Sequence, residues 1–443
     1  MRTNVCQIAL GGLCWMGDKK GNAVGFTITE KILARAAGLA SVKAGDEIMA
    51  KPDYVLAYDF PGYTDVIFKQ LKDEFGIDKI PEPDRFGIFI DHMVPAASPA
   101  EEQLHMGTRE WTKVNDVALY ERKGIGHQVA SEIGFATPGA FVVHFDGHVS
   151  QLGTFGTLAM GLRRNVLEAF AMERVSIRVP QTTRVDLVGT LAPGVMARDV
   201  FHHIVRVLGP ASCRFQVLEI GGPAVADMSN DGLQTITGLA MFTGAVTAIV
   251  NPDAKRLEYA LPRARKKLDP VCSDDDAHYA ARHEIDLSTL EPVIVIPPSP
   301  ANTRDLKDYL GLEVQTGYLG SCASGRIEDL RAAAHVLKGR KVAPGFALYV
   351  VPTSQEIMAA AAREGLIETL VEAGAFVSSP SCDYCYGRIA TMASGQRAVS
   401  TGTLNVRGRM GSPDSEIYLC NASVIAATAI EGRIADPRPY LRS

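Results

Sequence analysis

Three cysteines sit in two separated pieces of the C-terminal third: Cys322 in Gly-Ser-Cys-Ala-Ser-Gly-Arg, and Cys382 with Cys385 in Pro-Ser-Cys-Asp-Tyr-Cys-Tyr-Gly. A structural zinc takes four ligands and an ordinary cubane cluster takes four cysteines. An isolated set of three therefore implies a metal centre with one position left open for chemistry. Taken alone, Cys382-x-x-Cys385 also reads as a redox pair, although a thioredoxin-like motif opens a helix directly after a strand in a much smaller domain. Cys213 and Cys420 read as small core hydrophobes, and Cys6, Cys14 and Cys272 stay unassigned.

A second group is rich in histidine. Asp91-His92 follows the apolar run Phe86 to Ile90, Asp146-Gly147-His148 follows Phe141 to Phe145, and His127 lies in Gly124-Ile-Gly-His127. Two of the three place a histidine at the carboxyl end of an expected parallel strand, the edge where open α/β sheets bind ligands. Any one of them alone is an ordinary hydrogen-bonded loop residue; their recurrence at strand ends points to acid/base work. A third group, Arg407-Gly-Arg409-Met-Gly411, offers guanidinium groups for a carboxylate, or a basic loop neutralised by Asp414 and Glu416.

Elements must hold these groups together. Thr27 with Glu30 forms a capping-box pattern, and Gly38 supplies a stop, so a helix is expected between them. Strands are expected at Phe86–Ile90, Phe141–Phe145, Val185–Leu191, Val246–Val250, Val293–Ile296 and Leu348–Val351, with helices at Ile327–Leu337 and Glu356–Glu364. That alternation predicts an α/β protein: three α/β/α domains with mostly parallel sheets around a central cleft. Breaks at Val179-Pro-Gln-Thr-Thr183 and Pro297-Pro-Ser-Pro300 place the domains at 1–180, 181–292 and 293–443, the first carrying the Asp-His motifs and the last the cysteines.

The 443 residues are 47% hydrophobic, more than one core accommodates. With 45 basic and 50 acidic residues, interspersed and netting -5, the chain has no electrostatic footprint for nucleic acid or an anionic membrane. Its longest apolar runs are strand-sized, far below the roughly 20 residues that span a bilayer. Cys6 to Cys14 after Arg2 faintly mimics a signal peptide, yet the basic region is one arginine and no small-residue cleavage site follows. Scattered cysteines without tight pairing fit free thiols in the cytoplasm.

In order and spacing, these motifs resemble the aconitase superfamily, most closely the separate large subunits of the 3-isopropylmalate dehydratase type. The resemblance runs from about Gly25 to near the C-terminus. Its N-terminal half rests on Thr27-Ile-Thr-Glu-Lys-Ile-Leu33, Asp91-His-Met-Val-Pro95, Gly124-Ile-Gly-His-Gln128 and Asp146-Gly-His148. Its C-terminal half rests on Gly320-Ser-Cys322, Gly325-Arg-Ile-Glu-Asp-Leu-Arg331, Gly339-Arg-Lys-Val-Ala-Pro344, Cys382-Asp-Tyr-Cys-Tyr-Gly387, Gly408-Arg-Met-Gly411 and Gly432-Arg-Ile-Ala-Asp436.

The resemblance implies a [4Fe-4S] cluster held by Cys322, Cys382 and Cys385, its fourth iron open to water and substrate. It implies acid/base roles for Asp91, His92, His127, Asp146 and His148, and substrate-binding roles for Arg326 and Arg409. It also implies a small-subunit partner, a swivelling domain carrying a catalytic serine. Departures concern the substrate side. The family's Asp-Ser-His-Thr is Asp146-Gly147-His148-Val149 here, its Cys-Thr-Asn is Cys322-Ala323-Ser324, and its Asn-Arg-Asn is Thr403-Leu404-Asn405. A family Asn and Glu on one helix align with Gly238 and Phe242, and a Thr-Asp aligns with Arg164-Asn165. Losing the carboxylate-binding arginine at Leu404 costs on the order of a few kcal/mol for a buried carboxylate. Arg164 is the expected replacement charge.

The expected function is an iron–sulfur-dependent hydro-lyase, a dehydratase or hydratase-isomerase, acting on a small hydroxy acid other than ordinary citrate or 3-isopropylmalate. A non-catalytic, cluster-containing sensor or scaffold is the alternative from another class. A mononuclear iron or smaller iron–sulfur cluster is the alternative cofactor.

Overall fold

The structure is a computed structural model and describes residues 25–60, 64–162 and 166–441. The first helix, Ile28–Ala37, starts on Thr27, whose hydroxyl accepts from the Glu30 amide while the Glu30 carboxylate accepts from the Thr27 amide. It ends at Gly38 in a left-handed conformation, as the capping box and glycine require.

Three α/β sheets follow. The first has five parallel strands in the spatial order Ala118–Glu121, Phe86–Ile90, Tyr54–Tyr58, Phe141–His144, Leu158–Gly161. Its central strands are buried on both faces, which is why they read as unbroken apolar runs rather than alternating ones. An antiparallel pair, Glu47–Ala50 with Val175–Arg178, lies apart from it. The second sheet orders Thr247–Val250, Val217–Gly221, Thr182–Val188 and Ala281–Asp286, all parallel. The strand expected at Val185–Leu191 is shifted toward its N-terminus, because Gly189 at φ 74° turns the chain out of the sheet.

The third sheet runs Thr303–Asp305, Val293–Val295, Glu416–Leu419, Arg397–Ser400, Thr316–Leu319, Ala347–Val350 and Phe376–Val377. Val293–Val295 is antiparallel to both its neighbours, and the remaining pairs are parallel. Helices cover the sheets; Ile327–Leu337 falls where the sequence predicts it, and the next is Gln355–Arg363.

Strand order fixes where a ligand can sit. In the first sheet the chain builds outward from Tyr54–Tyr58, then returns to that strand's other side with Phe141–His144. The third sheet repeats the reversal between Thr316–Leu319 and Arg397–Ser400. Crevices open beyond the carboxyl ends of strands at such reversals. Asp146 and His148 follow one reversal point, and Cys322 and Thr403 follow the other. Among the described residues, no helix is long and apolar enough to cross a membrane.

Candidate active site

The loop after Phe86–Ile90 buries Asp91 and His92. His92 Nδ1 donates to Asp91 Oδ1 at 2.6 Å, and Asp91 Oδ2 accepts from the Gly126 amide at 2.6 Å. The second contact fixes the start of helix Gly126–Glu132, which carries His127. Burial alone would push protons off His92, but Asp91, followed by Asp383 and Asp146, outweighs it and raises its pKa.

Asp146 is the hub of the histidine group. One of its oxygens accepts from the His148 amide at 2.7 Å and from His148 Nδ1 at 3.0 Å, with His127 Nε2 3.3 Å away. The other accepts from the Tyr58 hydroxyl at 3.0 Å. Burial opposes ionisation of Asp146, yet His148 and His127 overcome it and hold the carboxyl well below the usual range. His148 responds in kind: against burial, Asp146 raises its pKa. Its Nε2 is buried without a hydrogen-bond partner among the described residues. Tyr58 packs on the rings of His92, His127 and His144 with centroids 4.7, 5.9 and 5.1 Å away. Neither Tyr58 nor His144 was marked by the sequence motifs.

The cysteines come from the third sheet. Cys322 follows strand Thr316–Leu319 through Ser321, a non-glycine residue at φ 81°, held there by its hydroxyl donating to the Thr401 carbonyl at 2.9 Å. Cys382 precedes the short helix Asp383–Tyr386 at its N-cap, and Cys385 lies within it. The Cys382 amide donates to the Asp91 carbonyl at 3.1 Å, joining the two loops. Asp383, between these two cysteines, reinforces the seam: it accepts from the Met93 and Val94 amides at 2.7 and 2.9 Å.

The donor set fits a cationic cluster. All three cysteines are free. Burial, followed by the neighbouring thiolates, pushes the Cys322 and Cys382 thiols well up. Cys385 is lowered despite burial, by Arg409 and by hydrogen bonds from Thr403. Ionised together, these sulfurs, of which those of Cys322 and Cys385 are buried and that of Cys382 half-buried, would repel one another and need a compensating positive charge. Among the described residues, no three His, Cys, Asp or Glu side chains are gathered to hold a metal ion; cluster ligands each bind a different iron, so their sulfurs need not converge on one point. Cys213 and Cys420 are buried among apolar side chains. Cys272 is disulfide-bonded, against the expectation of free thiols.

The arginines divide. Arg409 Nη2 donates to Cys385 Sγ at 3.5 Å, and its buried Nε has no partner among the described residues. Arg326, expected to bind substrate, is fully buried and already engaged. Its guanidinium donates to Gln128 (2.9 Å), Thr235 (3.1 Å), Gln151 (2.8 Å) and the Cys322 carbonyl (2.7 Å). That is the geometry of a clamp on the Cys322 loop, with little left for a carboxylate. Arg164 lies outside the described residues. The Phe242 ring centroid lies 6.0 Å from that of His148.

The sequence profile of the aconitase family (aconitate hydratase) matches residues 43–311 and 307–432. The chain belongs to the aconitase family. Similar proteins include 3-isopropylmalate dehydratase large subunit 1 of Methanopyrus kandleri, 37% identical over 94% of this chain and 100% of that one. The 3-isopropylmalate dehydratase large subunit of Aquifex aeolicus is 36% identical over 95% of this chain and 99% of that one. A crystal structure of Thermococcus kodakaraensis aconitase X, holo-form, aligns over 91% of this chain and 93% of that one, with a TM-score of 0.49 and 10% identity. Within this aconitase-family chain, the Asp-His pairs follow strands of the first sheet and the cysteines belong to the third, and the two groups meet at the Asp91–Cys382 seam.

Proposed function

We propose that this chain is the large subunit of a two-chain, iron–sulfur-dependent hydro-lyase that adds or removes water at a small hydroxy acid. The observation that carries this reading is the seam itself. A hydrogen bond from Cys382 to Asp91 makes the acid/base loop and the ligand loop address one space. Membership of the aconitase family, and relatives named as dehydratase large subunits, support the reaction class.

Cys322, Cys382 and Cys385 hold a [4Fe-4S] cluster. When bound, it supplies a Lewis acid for the substrate's hydroxyl and carboxylate. The chain's own residues do the rest. Asp146 fixes His148 through Nδ1 and keeps a proton on its ring, so Nε2 is the group that hands a proton to the departing hydroxyl. Asp91 holds His92 in the same manner, and His127 braces Asp146 from the other side. Arg409 steadies Cys385 and offers its Nε–H to a substrate carboxylate.

Arg164 is assigned by sequence alone to the second carboxylate, replacing the charge lost at Leu404. The base that removes the carbon-bound proton is a serine on a separate swivelling small subunit. The three units divide at 180/181 and 292/293, and the setting is cytoplasmic. With Phe242 beside His148 and Leu404 in place of an arginine, the substrate differs from ordinary citrate and 3-isopropylmalate.

The test is co-expression with a small subunit, then a panel of hydroxy acids followed by the ultraviolet absorbance of the unsaturated acid. Turnover of at least one acid is expected. Inactivity on every acid, with partner and cluster both present, favours the scaffold instead.

A further inference from the structure

Tyr318 lies in strand Thr316–Leu319 of the third sheet, beside the sheet's reversal point. Its side chain is completely buried. The ring stacks on that of Tyr384, centroids 6.1 Å apart and planes 13° from parallel, and Tyr384 sits between Cys382 and Cys385. Tyr318 and Cys385 belong to the same apolar cluster, with Met410 and Val351. The phenol reaches the other ligand loop as well. A Cβ added at Gly320, two residues before Cys322, would stand 2.8 Å from the Tyr318 hydroxyl. Glycine there leaves the space in which that oxygen sits.

The hydroxyl between these loops has no hydrogen-bond partner among the described residues. A buried phenol ordinarily finds one, and leaving it unsatisfied costs stability. Phenylalanine would fill the same apolar space without that cost. A phenol keeps its proton at neutral pH. It is a buried donor without an acceptor among the described residues, lying between the loop of Cys322 and the loop of Cys382 and Cys385.

We propose that Tyr318 donates its hydroxyl proton in a hydrogen bond to a sulfur of the iron–sulfur cluster and so tunes the cluster's reduction potential. The inference rests on the cluster reading above. Hydrogen bonds to cluster sulfurs stabilise the more electron-rich, reduced state, and so raise the potential. Tyr318 acts through the cluster and is a tuning residue, with no contact to substrate required.

The experiment compares the full-length chain with Tyr318→Phe, both reconstituted anaerobically with iron and sulfide. Three readouts are taken: iron and sulfide content, the midpoint potential from an EPR-monitored redox titration, and resonance Raman spectra in H2O and D2O. Equal iron content, a more negative potential in the variant, and Fe–S stretching bands whose deuterium sensitivity falls in the variant are expected. Equal iron with unchanged potential and unchanged deuterium sensitivity overturns the proposal while leaving the cluster reading intact. A wild-type spectrum without deuterium-sensitive Fe–S bands overturns it too, and needs no variant. Absence of iron from the reconstituted wild-type chain overturns the cluster reading and this proposal together.

Discussion

The Cys382 amide donates to the Asp91 carbonyl across 3.1 Å, so one hydrogen bond ties the Cys382–Cys385 loop to the loop bearing Asp91 and His92. Beside it, the Asp383 carboxylate accepts from the Met93 and Val94 amides and from the Tyr386 hydroxyl, and pairs with Arg388 at 3.2 Å. The two loops are thereby held in register by one main-chain bond and by the Asp383 carboxylate.

Asp383→Ala should loosen this seam. It strips the acceptor from two backbone amides, each worth about 1–3 kcal/mol when buried and unsatisfied. Denaturant unfolding should show a loss on that scale, and iron retention after gel filtration should fall although all three cysteines remain. Wild-type stability and iron content in the variant would contradict the seam's role.

Asp146→Asn keeps the shape of the hub and removes its charge. His148 then loses the group that favours its protonated form. Turnover should fall about 10²–10⁴-fold, the usual scale for general acid catalysis. The alkaline limb of the pH–rate profile, where the protonated His148 is lost, should move to lower pH, with iron content unchanged. A loss of activity without any change in the profile would assign Asp146 a purely structural place.

Arg326→Lys tests the clamp. A lysine cannot reproduce a planar fork serving Gln128, Thr235, Gln151 and the Cys322 carbonyl. Each abandoned buried partner costs on the order of 1–3 kcal/mol. Stability and cluster retention should drop together, while KM of the remaining holoenzyme stays near wild type. A large rise in KM at full iron content would return Arg326 to the substrate.

Glu132 makes folding stability depend on pH. It joins helix Gly126–Glu132 to the third unit by accepting from Ser354 Oγ at 2.5 Å, and it also accepts from Gln128 at 3.0 Å. Burial raises its carboxyl to about 7 against those hydrogen bonds. The folded value lies above the unfolded one of about 4.3, so the folded chain binds more protons in between. Its contribution is fully present below about pH 4.3 and is lost as pH rises through about 7. Glu132→Gln cannot ionise, so the variant should gain on wild type by on the order of 1–3 kcal/mol from about pH 5 to about pH 8. Parallel melting curves across that range would contradict the shift.

Much of this was legible in the sequence, for identifiable reasons. Thr27, Glu30 and Gly38 act locally, so their helix could be read from three residues. Runs such as Phe86–Ile90 are buried on both faces and stand out as strands. Asp91, His92, Asp146 and His148 follow such runs directly. What escaped depends on distant partners. Tyr58 looks like one more apolar strand residue until its hydroxyl meets Asp146. Asp383 looks like a spacer between cysteines until the first unit's amides reach it. Arg326 shows its charge in the sequence but not its acceptors, and four of them had to be seen before a clamp replaced a substrate ligand.

The most direct test of the metal centre is iron and acid-labile sulfide analysis, with EPR, on chain purified anaerobically, compared with Cys322→Ser, Cys382→Ser and Cys385→Ser. One cubane cluster per wild-type chain is expected, with each substitution lowering its iron content and abolishing turnover in the presence of the small subunit. A folded wild-type chain that turns over its acid with no iron bound would contradict the iron–sulfur mechanism outright.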